Sequence, residues 1–359
     1  VLAVTTDLNT DQRVHRVALA LHQAGFQVSV IGRQLPTSKP LPEMPYRRLR
    51  LRLPFHKGKW FYICYNYFLF WKLLFFPADI FIANDLDTLG AVWSASRFRR
   101  KKVVYDAHEL FTQVPELVRR PKTQAIWKRM EAHILPRLKF FYTVNESLSR
   151  IYHEMGAVKP EVVRNLPLRQ HGVEHRDKPG NILLYQGALN EGRGIERMIA
   201  AMEHLPEQVL WIIGGGPLAE KLRAIAADSP AKDRIVFYGW VRIDQVASYT
   251  RQASLGFSLE EDRGLNYRYA LPNKLLDCVQ CGVPVLVSQL PEMEEVVRTY
   301  GVGETLTDSA DLAEAVRMLL SDTERWRRYH EACLKAAEEL CWERESEKLV
   351  ALMRRVQVS

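Results

Sequence analysis

Short apolar segments alternate with helix-patterned ones along most of the chain, and this alternation restricts the fold more than any other feature. Residues 1–5, 27–31, 80–83, 102–105 and 140–143 read as short strands that close on polar residues, and 12–24 reads as a helix stopped by Gly25. Strands that are apolar throughout are covered on both faces, as in a parallel sheet wrapped by helices. Residues 169–181 are polar, carry Pro and Gly, and fit an interdomain linker. A second series follows, with strands at 182–186, 209–213, 235–238 and 255–258 and helices at 195–202 and 218–227. The expected architecture is α/β, with two doubly wound domains facing across a cleft. The first spans 1–166 and the second 167–341, and a C-terminal helix near 342–359 packs back on the first.

Ligands on such sheets bind where the carboxyl ends of the strands open into loops. In the first domain those loops are 6–12, 84–88, 106–111 and 145–147, and they hold Asp7, Arg13, Asp85, Asp87, His108 and Glu109. In the second domain the informative stretch is 269–277 (YALPNKLLD), followed by 281–287 (CGVPVLV). Pro272 is expected at the first position of a helix of about ten residues, ended at Gly282 and followed by a buried strand. The backbone N–H groups near Asn273 and Lys274 then offer an anion site backed by the helix dipole. Lys274 adds a full charge, and Asp277, one turn on, suits a vicinal diol. Together they describe a nucleoside-diphosphate pocket; the plainer alternative is a helix whose Asp277 only complements the dipole.

The net charge is +8, with basic runs at 47–59 (Arg47, Arg48, Arg50, Arg52, Lys57, Lys59) and 97–102. Such runs meet phosphates, anionic lipid or nucleic acid. No helix-turn-helix, RNP motif or zinc finger accompanies them, so nucleic acid is not expected as a partner. The five cysteines are an odd number without a disulfide pattern, and Cys278 and Cys281, in redox-motif spacing, read as packing residues. The compartment expected is the reducing cytoplasm, with no signal peptide visible ahead of the first strand. Residues 60–76 (WFYICYNYFLFWKLLFF) are apolar and aromatic, but Asn66 and Lys72 interrupt them and they are short for a membrane span. Two compatible readings stand: a buried helix, and an aromatic, base-flanked surface resting on a membrane.

Taken in order, 11–16 (DQRVHR), 84–88 (NDLDT), 105–110 (YDAHEL), 143–147 (TVNES), 185–187 (YQG), 214–217 (GGGP) and 271–275 (LPNKL) resemble the family-4 retaining glycosyltransferases. The resemblance runs nearly end to end and is nearest to a bacterial branch that builds surface polysaccharides and glycolipids. It implies the GT-B fold of two Rossmann-like domains. It further implies transfer of a hexosyl group from a nucleoside diphosphate sugar to a glycan or lipid-linked acceptor, with no cofactor and no metal. Carried over by position, the donor would meet Gly187, Gly215, Val241, Asn273, Lys274 and Asp277. The catalytic residues would be His108, Arg193 and Lys274, with Asp11, Arg13 and Glu109 on the acceptor side.

His108 is expected as a neutral imidazole that bonds a sugar hydroxyl or steadies charge, and Asp11 and Arg13 either face the acceptor or pair with each other. The chain departs from the family in two places. Ala188 stands where an arginine is usual, with Arg193 replacing the usual lysine. Tyr269 stands eight residues before Asp277, where an acid is usual; Glu260, Glu261 and Asp262 lie upstream and read as a solvated loop. Asp85 and Asp87 are expected to shape the first domain's cleft instead of holding a metal. In this fold the first domain handles the acceptor, and with residues 60–76 and both basic runs in that domain, two readings follow for a cytoplasmic protein: peripheral on the inner face of the cell membrane with an anionic membrane surface as a partner, or 60–76 as core and the arginines as solvated surface. A nucleotide-sugar epimerase and a non-catalytic nucleotide-sugar or membrane-binding protein remain as alternatives. A dehydrogenase does not, since no Gly-x-Gly-x-x-Gly follows the first strand.

Overall fold

The computed structural model describes residues 1–9 and 11–359. The chain divides into two compact units, Val1–Asn165 with Glu345–Ser359, and Leu166–Arg344. The sheet of the first unit is built from β1 (Leu2–Ala3), β2 (Ser29–Gln34), β3 (Arg47–Arg52), β4 (Ile80–Asn84), β5 (Lys102–Ala107), β6 (Phe140–Thr143) and β7 (Glu161–Val162). That of the second is built from β8 (Ile182–Gln186), β9 (Val209–Ile213), β10 (Ile235–Gly239), β11 (Leu255–Ser258), β12 (Val285–Ser288) and β13 (Gly303–Leu306). Their orders are β3-β2-β1-β4-β5-β6-β7 and β10-β9-β8-β11-β12-β13. Every pairing is parallel, as in Leu2↔Val30, Ala3↔Ala83 and Gln186↔Ile213. In each unit the chain winds outward one way from its first strand and then the other, so a switch point lies between β1 and β4 and another between β8 and β11.

Both faces of the second sheet are buried, which explains the apolar runs. Leu183, Tyr185 and Leu286 pack into one cluster with Trp326. Leu184, Val285 and Val287 point the other way into a second cluster with Leu275, Val279 and Met293. Each such side chain contributes about 1.5–3 kcal/mol on leaving water.

Three strands are absent from the sequence expectation. β3 is the basic run RRLRLR, a charged edge strand of the kind that discourages edge-to-edge pairing. β7 and β13 are the other two. The polar stretch 169–181 is strapped onto the second unit instead of hanging free. Gln280 accepts from Gln170 N at 3.0 Å, His330 Nε2 accepts from Arg176 N at 3.0 Å, and Arg176 Nη1 donates to Ala253 O at 2.7 Å. Glu345, 2% exposed, fixes the last helix to the first unit by accepting from Arg164 N at 2.9 Å.

All five cysteines are free, and four of them are buried; burial pushes the Cys281 thiol up to about 12, in keeping with packing. No helix among the described residues is long and apolar enough to cross a membrane.

The loops at the carboxyl ends of β8 and β9 touch through backbone. Gly214 has φ +133°, and a Cβ there would sit 1.9 Å from the Gly187 carbonyl oxygen. Gly214→Ala is therefore expected to cost on the order of 3–4 kcal/mol in the second unit. Gly301→Ala, at φ +64° with nothing within 4 Å, should cost only about 1–2 kcal/mol. Equal shifts of the urea midpoint in the two variants would show that the β8–β9 loops can part freely.

Candidate functional site

In the second unit, the switch point gathers three charged side chains. Glu260, two residues beyond β11, is 1% exposed. Lys274 Nζ lies 2.6 Å from its Oε1, Arg193 Nη1 lies 3.2 Å from the same oxygen, and the Ser258 hydroxyl donates to Oε2 at 2.7 Å. Burial alone would raise the Glu260 pKa, but Lys274, then Ser258 and Arg193, hold it below the ordinary value, so the group is a carboxylate. Burial lowers the Lys274 pKa and Glu260 opposes that fall. Lys274 Nζ also lies 4.4 Å from the Tyr185 ring centroid, and the Arg193 guanidinium lies 5.3 Å over Tyr267. Two cations share one carboxylate, leaving net positive charge, and the Arg193 side chain is 26% exposed. The solvated-loop expectation holds for the exposed Glu261 and Asp262 but not for Glu260. Its position just past a central strand end was the available signal.

Asp277 is half-buried, and its Oδ2 accepts from Gln186 Nε2 at 3.1 Å, while Gln186 Oε1 accepts from Thr250 at 2.7 Å. The helix carrying Lys274 and Asp277 is Asn273–Gln280, eight residues long, and Pro272 is its cap at ψ 136°, not its first helical residue. It closes at Gly282 (φ +70°), where Val283 N donates to Cys278 O at 2.9 Å and Gly282 N to Val279 O at 3.1 Å. Asn273 is exposed at the helix start. Gly187 (φ +137°) ends β8, its N–H on Ile213 O. Gly215 has no room for a side chain, because a Cβ would lie 2.4 Å from the Trp240 indole nitrogen. Val241 packs its side chain against the core, which leaves its backbone for any contact with a base. Ala188 is exposed, and its carbonyl takes the Tyr185 hydroxyl at 2.7 Å.

In the first unit, a charged network sits at the ends of β4 and β5. Asp106, fully buried, accepts from Arg13 Nη2 at 2.8 Å and from the Tyr142 hydroxyl at 2.7 Å. His108 stands between two carboxylates, with Nε2 3.0 Å from Asp106 and Nδ1 3.0 Å from Asp85. Burial would lower the His108 pKa, but Asp106 and then Asp85 outweigh it and raise it to about 10. The neutral imidazole expected from the sequence is thus an imidazolium. Asp85 has φ +60°, rare for a residue other than glycine. It is held there by His108 N donating to its Oδ1 at 3.0 Å and by its own N–H on Asp106 O at 2.8 Å.

Asp87, 7% exposed, takes the Thr5 hydroxyl at 2.5 Å, and burial, then the Asp85 charge, raises its pKa to about 7. Asp11 and Arg13 do not pair. Asp11 caps helix Gln12–Gln23 through Val14 N at 3.0 Å, and Arg13, 8% exposed, turns to Asp106. Glu109 is exposed next to the network, and its backbone carbonyl accepts from the Tyr152 hydroxyl at 2.8 Å. Among the described residues, no group of His, Cys, Asp and Glu is arranged to hold a metal ion.

The His108 pairing makes stability depend on pH. Its folded pKa of about 10 lies above the ordinary 6.5, so the stabilisation is complete below pH 6.5 and lost as pH rises through about 10. The first unit should lose on the order of 3–5 kcal/mol across that window. His108→Gln, less stable overall, should flatten the slope in urea titrations; an unchanged slope would assign the titration to another group.

Comparison with known proteins bears on the family and the fold. Residues 11–167 match the model of Glycosyltransferase Family 4, and residues 180–322 match that of Glycosyl transferases group 1. Chitobiosyldiphosphodolichol beta-mannosyltransferase from Candida glabrata is 22% identical over 190 residues, covering 50% of this chain and 41% of the relative. The same enzyme from Kluyveromyces lactis is 29% identical over 119 residues, 33% of this chain and 26% of the relative. The matched stretches thus span less than half the length of these relatives. Among solved structures, sucrose-phosphate synthase from Thermosynechococcus elongatus superposes with a TM-score of 0.79 at 16% identity, covering 99% of this chain and 98% of that one. Anabaena HepE in complex with UDP and glucose gives 0.78 at 13%, covering 99% and 98%. WaaG, a glycosyltransferase involved in lipopolysaccharide biosynthesis, gives 0.68 at 14%, covering 97% and 98%. At such identities these structures speak for the fold, which is GT-B. With consecutive family models matched along most of its length, the chain belongs to the glycosyltransferases, its first half to Family 4 and its second to group 1.

Proposed function

We propose that the protein transfers a hexosyl group from a nucleoside diphosphate sugar to a hydroxyl of a lipid-linked glycan, with retention, in the synthesis of a bacterial surface polysaccharide or glycolipid at the cytoplasmic face of the membrane. The observation that carries this reading is the buried Glu260 carboxylate, which holds Lys274 and Arg193 side by side at a sheet switch point. For the substrates alone, the names of the relatives support the reading: HepE was solved in complex with UDP and glucose, and the yeast enzymes are named for a sugar chain carried by a lipid diphosphate. In this reading the second unit holds the donor. Arg193 and Lys274 meet the diphosphate, and Asp277, oriented by Gln186, meets the ribose.

As the bond from the anomeric carbon to the diphosphate breaks, its electron pair leaves with the phosphate oxygen. The acceptor hydroxyl forms the new bond from the same side, and its proton passes to the departing phosphate. Fixed cations stabilise that charge without reorganising, the role a metal ion plays in other transferases. On the first unit, His108, Asp106 and Asp85 form a rigid polar floor for the acceptor, beside Asp87 and the exposed Glu109.

A panel of UDP- and GDP-sugars, read by thermal shift in the presence of chelator, tests the donor reading; at least one should stabilise the protein. Lys274→Ala and Arg193→Ala should each lower turnover by about 10²–10³-fold, whereas Asp277→Ala should mainly weaken nucleotide binding. Strict dependence on magnesium or manganese would remove the fixed-cation mechanism. A sugar changed without any acceptor would make the protein an epimerase, and NMR of the first-formed product decides between retention and inversion.

Glu260→Gln keeps the shape but removes the charge that opposes the burial of Lys274, whose pKa should fall further. Turnover of this variant should decline with rising pH over a range where the parent is flat. A parallel pH profile would separate Lys274 ionisation from the reaction.

A further inference from the structure

Helix Gly58–Leu74 presents two apolar faces, and only one of them is used inside the protein. Phe61, Tyr65, Leu69 and Leu73, four residues apart, are 0–4% exposed. On the opposite face, Trp60, Ile63, Tyr67 and Trp71 are 45–59% exposed, and Phe75, just past the helix, is 78% exposed. Trp71 stacks on Phe75 with ring centroids 6.3 Å apart and meets Tyr67 edge-on. Single exposed apolar residues are ordinary on a soluble surface, but a continuous ridge is not.

Asn66, one of the two residues that interrupt this segment, does not interrupt the ridge. Asn66 turns inward, donating to Asp87 O at 2.8 Å and accepting from Ala91 N at 3.2 Å. Along the segment that carries the ridge, the charge has one sign. No Asp or Glu lies between Glu43 and Asp79, a stretch that includes the exposed Lys57, Lys59 and Lys72. Lys59 Nζ stands 5.4 Å over the Trp60 ring.

We propose that this ridge docks the protein on an anionic lipid bilayer, with its aromatic rings at headgroup level and its flanking lysines among the lipid phosphates. Trp and Tyr favour that depth, and each nearby cation adds to the attraction. A second copy of the chain fits poorly, because a two-fold contact through the ridge would bring the same unbalanced cations together. The inference rests on the lipid-linked acceptor proposed above and says how that acceptor is met. The inner face of the same helix is bonded to the acceptor-side loops, through Tyr65 to Val4 O and Asn66 to Asp87 O. Docking therefore sets the height of the Asp85–His108 network above the lipid.

The test is flotation of the full chain with phosphatidylglycerol-rich vesicles, with phosphatidylcholine vesicles as the neutral control. The wild type should float with the anionic vesicles at low salt, with a blue-shifted tryptophan emission, and should be released by added salt. Lys59→Glu with Lys72→Glu should lower the partition at least about tenfold. Trp60→Ser with Trp71→Ser should abolish the emission shift, while melting temperature and nucleotide-sugar binding stay at wild-type values. Absence of flotation at low salt overturns the proposal, as does flotation unchanged in both variants. A dimer in sedimentation that the Trp60 and Trp71 changes dissolve would assign the ridge to a second copy instead. Vesicle binding by a protein that no nucleotide sugar stabilises would leave the docking surface standing and remove the transferase reading.

Discussion

A parallel sheet has no use for a solvent face, since the crossover helices that connect its strands must lie against it. That constraint accounts for most of the molecule. It forces β8 and β12 to be apolar in both directions, so Leu184 and Leu183 feed different cores. It also sends every polar function to the strand ends, because the strand interiors have no room for it. At the two switch points the loops diverge, and charged side chains gather there: Asp85, His108 and Arg13 in one unit, Glu260, Lys274 and Arg193 in the other.

The two networks solve opposite problems with the same physics. In the first unit, buried carboxylates are in excess, and a histidine is kept charged to serve them. In the second, cations are in excess, and one buried carboxylate holds them together. Isolated charges at such depth would neutralise themselves. Paired, they persist and keep fixed positions, which is the property asked of groups that must meet substrate charge without rearranging. The strained Asp85 backbone fits the same logic, since it is tolerated only because His108 and Asp106 hold it from both sides.

Helix Gly58–Leu74 extends this economy to the outside of the first unit. Its buried stripe covers the sheet, its polar residue ties the helix to the loops of the network, and its third side is left to solvent with aromatic rings on it. One element thus joins the core, the acceptor side and an exposed surface.

The strand–helix alternation, the positions of the apolar strands and the family likeness were all legible in the sequence, because periodicity and motif order are local properties of the chain. Lys274 and Arg193 were also singled out from the sequence, but not the carboxylate they share. The edge strand β3 was not, since its stability comes from pairing with β2 and its composition reads as solvated charge. The sequence also could not tell that Glu260 is buried while Glu261 and Asp262 are exposed, or that Arg13 passes over Asp11 for Asp106. Nor could it say that His108 is charged. Each of these depends on which groups the folded chain brings within about 3 Å in a poorly solvated place, where Coulomb energies far exceed those along an extended chain. Local pattern chose the architecture; only the tertiary structure decided which charges meet, and therefore which of them carry a proton.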